Sequence, residues 1–142
     1  MNFQPSDIVN QRRDEKREQD CSKFLRTLNE EERSEFLWVI LKNNDNSTQL
    51  AGCRLVEKSK PSHDFIIEML EYALIHCDAS SIGFWAKAIL KNLGPNKMVM
   101  ELRNRVGSHK EMVSFACYHI SPFFRDNSKA SKLFKDLKLA VE

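Results

Sequence analysis

The chain has 142 residues, 42% of them hydrophobic and 30% charged, with a formal net charge of +2. That length fits one domain able to bury roughly 68–70% of its unfolded surface, and the balance is globular rather than disordered. Four glycines and four prolines are too few for a turn-rich β-sandwich or barrel.

The small net charge hides an asymmetry. Residues 1–78 carry 11 Lys/Arg against 15 Asp/Glu, whereas residues 79–142 carry 11 against 5. The two halves therefore offer a partner different potentials. Met1 to Asp20 is polar and charged, so no signal peptide is expected, and the longest apolar run, Phe36–Leu41, is far short of a membrane span. Cys21, Cys53, Cys77 and Cys117 form no C-x-x-C pair and sit among apolar neighbours. The expectation is a soluble cytoplasmic protein with buried, reduced thiols.

Asn10–Asp20 lacks any apolar residue and alternates charges at helical spacing, as an exposed helix extension or a tail does. Residues 1–20 are accordingly set apart from a single helical domain over 21–142. From Cys21 an amphipathic stripe begins with Phe24, Leu25 and Leu28. Asn29 with Glu32 forms a capping box for a helix carrying Phe36–Leu41, expected to be buried nearly all round. Asn43–Ser47 is a loop, and a weaker helix follows from Thr48 to about Lys58. Pro61-Ser62 starts the next helix, with Phe65, Ile66, Met69, Leu70 and Ala73 on one stripe.

Ile82, Trp85, Ala86, Ile89, Leu90 and Leu93 give the best-patterned helix, and Gly94-Pro95 stops it, with Gly94 expected in the left-handed C′ position. A short helix with Met98, Val99, Leu102 and Val106 is expected to close at Gly107. Ser108 and Glu111 form a capping box for the helix of Met112, Phe115, Ala116 and His119, which Pro122 breaks. Asp126, Asn127 or Ser128 caps the last helix, striped by Ala130, Leu133, Phe134, Leu137 and Val141. The fold class is all-α: seven or eight short amphipathic helices whose short connections make antiparallel hairpins.

Shifting the sequence by 31 residues lays Phe84–Ile89 on Phe115–Ile120, and a shift of 32 lays Ile66, Ile67, Leu70 and Leu74 on Met98, Val99, Leu102 and Val106. In this spacing of helix pairs, residues 62–121 resemble HEAT or armadillo-type repeats, although their period is below the roughly 40–47 residues usual there. The resemblance implies stacked hairpins that bind a partner along one face, and it carries over no catalytic residue. A compact helical bundle accounts for the same spacing.

No phosphate loop, nucleophile elbow or dinucleotide fingerprint occurs. Cys117 and His119, two apart on a helix, diverge by about 200°. The histidines and cysteines show no zinc-ligand spacing, so neither metal nor cofactor is expected. A non-catalytic protein-binding module is the leading expectation: a small adaptor, or a neutralising partner of the immunity or inhibitor type. Its candidate surface is Lys87, Lys91, Arg103, Arg105, Lys110 and Tyr118. The same cations, with Lys97 and Lys129, Lys132, Lys135 and Lys138, suit a nucleic-acid backbone as the alternative, against a sequence pI of only 8.3. Trp38, inside an all-apolar run, leaves open a second copy of the chain as partner.

Overall fold

The structure is a computed structural model that describes residues 2–142. Among them are eight α-helices and no strand: α1 (Glu15–Thr27), α2 (Glu30–Leu41), α3 (Asn46–Ser59), α4 (His63–His76), α5 (Ile82–Leu93), α6 (Pro95–Asn104), α7 (Val106–Ile120) and α8 (Lys129–Ala140). Two 3₁₀ turns, Pro5–Asp7 and Ser121–Phe123, complete the order. The described residues cluster as two compact units, the first ending at Phe65 and the second running Ile66–Glu142.

In the first unit α3 packs against both α1 and α2. Each of these helices starts at a side-chain cap. Asp14 accepts from the Arg17 amide, Asn29 from Glu32, and Asp45 from Thr48, so each satisfies one amide that the first helical turn leaves without a partner. The helix α1 runs unbroken across residue 20, the expected boundary. Glu18, in the stretch without apolar residues, is buried at 3% exposure. Its carboxylate receives the Arg54 guanidinium of α3, Nε at 2.7 Å and Nη2 at 2.9 Å. A paired carboxylate can be buried where an isolated one cannot, and this pair is what turns the charged stretch into part of the fold.

The Phe36–Leu41 run is less enclosed than its composition suggests. Phe36, Leu37, Ile40 and Leu41 are buried, while Val39 stands outward. The Trp38 ring lies 5.2 Å from that of Phe65, with the Lys42 ammonium 4.9 Å over its face.

In the second unit α5 packs against α7, and α6 against α8. Tyr72 of α4 stacks on the buried Trp85 at 5.6 Å. Gly94 ends α5 with φ 84° and ψ 161°. The positive φ is that of a glycine C-terminus, but the extended ψ departs from the expected left-handed geometry. Pro95, first residue of α6, imposes extended ψ on the residue before it.

The junction after α6 also differs from expectation. Arg105, not Gly107, breaks the helix, and α7 begins at Val106 with a non-helical His109 (φ −139°, ψ 45°) inside it. Ser108 Oγ donates back to the Arg105 carbonyl at 3.4 Å instead of capping α7. Ser128 caps α8 by accepting from the Ser131 amide.

Candidate functional site

The six residues of the expected surface all lie in the second unit, on α5, α6, α7 and the junction between the last two. Lys87 and Lys91 project from α5 opposite its buried Trp85, Ala86 and Ile89; Arg103 is exposed at the end of α6, and Lys110 just past the kink in α7. Arg105 is engaged internally. Its side chain is 14% exposed and ion-paired with Glu71 and Glu101. Nε donates to Glu71 at 2.7 Å, and Nη1 donates to the Glu101 carboxylate at 2.6 Å and to the Glu101 carbonyl at 2.8 Å. Burial acts to lower its pKa, but the bonds to Glu101 and Glu71 outweigh it and the guanidinium stays charged. Arg105 is thus a brace between α4 and α6.

Tyr118 behaves differently. It is 78% exposed and stands at a hollow of about 620 Å³ formed by the end of α7, the second 3₁₀ turn and the end of α8. His119, Pro122, Arg125, Lys138 and Val141 share its wall. The Tyr118 and His119 rings meet edge to face at 5.3 Å. Lys138 Nζ lies 5.9 Å from the Phe134 ring of its own helix. Phe123 and Leu139 are also exposed on the elements that form the hollow.

Arg125 and Leu139 were not singled out from the sequence. Arg125 follows Pro122 in an aperiodic turn, where spacing carries no information. Leu139 did leave a signal, since it falls off the α8 stripe and an apolar residue there faces water.

Cys117 also borders the hollow. Burial pushes its thiol up to about 11, with Lys138 acting weakly the other way, so the nucleophilic thiolate is scarce at neutral pH. Burial likewise pushes Cys21 up to about 12 and Cys77 to about 11. Among the described residues no group of three or more His, Cys, Asp or Glu converges as a metal site, and no helix is long and apolar enough to cross a membrane. No family model, no curated protein and no solved structure matches the chain.

Proposed function

We propose that this chain is a non-catalytic protein-binding module, an adaptor or a neutralising partner, that uses the Tyr118 face of its second unit to bind an acidic protein in the cytoplasm. The observation that carries the reading is the exposed Tyr118 ring beside a concave surface bearing Arg125 and Lys138. Tyrosine and arginine are enriched at the energetic centres of interfaces, and a monomer gains nothing by holding a large ring in water. The surrounding α8 adds exposed Lys129, Lys132 and Lys135, which steer an acidic partner and raise its association rate. Free thiols, buried at Cys21, Cys53 and Cys117 and half-buried at Cys77, fit a reducing compartment.

The helical-repeat reading of residues 62–121 has support of the same kind. The helices that align at a shift of 31, α5 and α7, pack on one another. Those that align at 32, α4 and α6, are joined by Glu71 and Arg105. Neighbouring equivalents of this sort are what stacked hairpins produce.

The test is affinity capture on the full chain, with and without nuclease, followed by calorimetry on the purified partner. Tyr118→Ala with Lys138→Ala is expected to weaken binding of an acidic protein at least a hundredfold, while Lys87→Ala leaves it unchanged. Capture that ignores Tyr118 and Lys138 overturns the reading. Recovery of nucleic acid alone, with affinity falling steeply as salt rises, replaces it with the nucleic-acid reading.

A further inference from the structure

The first unit holds a separate feature that the protein-binding reading does not use. A hollow of about 600 Å³ opens beside the chain from Asp7 to Asp14 and the first turns of α1 and α3. Four arginines line it, Arg12, Arg13, Arg17 and Arg54, out of nine in the whole chain.

Four carboxylates line it as well, and each is already engaged. Asp7 accepts from the Gln4 amide at 2.8 Å, Asp14 from the Arg17 amide at 3.0 Å, and Asp45 from the Thr48 amide at 3.0 Å and hydroxyl at 2.9 Å. Glu18 holds the fork of Arg54, so Arg54 is wall rather than ligand.

The other three guanidinium groups have no such attachment. Arg17 approaches Asp14 only to 3.9 Å, Arg13 approaches Glu15 to 3.5 Å with both side chains more than half exposed, and Arg12 makes no ion pair among the described residues. The remaining arginines of this unit are used differently: Arg26 donates to the Lys58 carbonyl, and Arg33 to the Leu25 and Leu28 carbonyls. The segment carrying Arg12 and Arg13 is also pinned. Asn10, at φ 58°, donates its amide to the buried Thr48 hydroxyl at 3.0 Å.

We propose that this hollow binds the phosphoryl group of a small phosphorylated molecule through Arg12, Arg13 and Arg17. A guanidinium presents five N–H donors in a planar fork that matches two phosphate oxygens. The volume is within the range of small-molecule sites, and Ile8, Leu50 and Ala51 give it an apolar wall for the organic part. Four carboxylates against four arginines leave no net charge in the wall, so recognition comes from donor geometry and affinity is modest.

The experiment is calorimetric titration of the full chain with inorganic pyrophosphate and with adenosine diphosphate, at about 0.01 M ionic strength where screening is weak. Saturable one-to-one binding of both probes is expected. It should weaken at least tenfold in Arg12→Gln/Arg13→Gln/Arg17→Gln and stay unchanged in Lys87→Gln/Lys110→Gln, which removes cations from the second unit. Absence of saturable heat, an unchanged triple variant, or an equal loss in the lysine control overturns the proposal. Arg12→Gln alone, at an exposed position, reads the same effect as a loss of at least threefold if the triple variant does not fold.

Discussion

Gly83 of α5 lies directly against the imidazole of His119 in α7: a β-carbon on Gly83 would stand 2.7 Å from His119 Nδ1 and 2.8 Å from Cγ. Such a contact lets the first turn of α5 meet the last turn of α7 and fixes the ring that touches Tyr118. Gly83→Ala adds helix propensity worth up to about 1 kcal/mol, but it forces a methyl group into the ring, and overpacking costs about 1–3 kcal/mol. Net destabilisation of about 1–2 kcal/mol is expected in urea unfolding. In a His119→Ala background the same change should become stabilising. This reversal of sign is the check, because a loss of similar size in both backgrounds would place the strain elsewhere.

The Glu18–Arg54 pair makes a second, opposite case. Arg54→Ala leaves a carboxylate buried at 3% exposure with only the Lys58 ammonium, 3.9 Å away, as a cationic neighbour, and removal of one member of a buried pair costs about 3 kcal/mol. Glu18→Met with Arg54→Met removes both charges and fills similar volume, so stability should return to within about 1 kcal/mol of the parent. Equilibrium unfolding of the two single variants and the double variant decides it. The pair is worth nothing if the singles unfold at the parent's denaturant midpoint.

Helix positions were legible because their determinants are local. Asn29 and Ser128 each cap a helix through a residue three places on, and Gly94-Pro95 stops one. Long-range pairing was not legible. Glu18 and Arg54 are 36 residues apart, and Arg105 and Glu71 are 34 apart. In sequence, both arginines and both glutamates look like ordinary surface charges, because only the tertiary path brings them together. For the same reason Arg105 reads as a surface cation in sequence, although it is tied to Glu71 and Glu101. Lys87, Arg103 and Lys110 obey the helical rule that places them outward, but nothing in spacing puts Tyr118 on one hollow with Arg125 and Lys138. The close approach of Gly83 to His119 was not legible for the same reason.

Arg105 separates the two meanings of a positive residue. Arg105→Ala removes bonds to Glu71 and Glu101, whose side chains are 47% and 27% exposed. Solvent screening at these carboxylates limits the cost to about 1–2 kcal/mol. Lys87→Ala and Lys110→Ala, at exposed positions, should stay within about 0.5 kcal/mol of the parent. Thermal unfolding of the three variants side by side distinguishes a brace from a solvated cation. Equal midpoints would remove Arg105 from the fold and return it to the surface.

Asp126 ties acid sensitivity to the last helix. Its carboxylate accepts from the Ser128 hydroxyl at 2.6 Å, the Ser131 hydroxyl at 2.6 Å and the Ser128 amide at 3.1 Å. The hydroxyl of Ser128, followed by that of Ser131, lowers its pKa from 3.8 to about 2. Because the folded value is the lower one, the unfolded chain binds the proton more readily. The stabilisation is therefore complete above about pH 4 and is lost as pH falls toward 2. Protonation weakens the acceptor that orients Ser128, the cap of α8, so helix start and titration are one event. Asp126→Asn should flatten the acid limb of the stability profile between pH 4 and 2 while other carboxylates still titrate. Chemical unfolding of parent and variant across that window measures the difference. Parallel curves for the two proteins would show that Asp126 has no share in it.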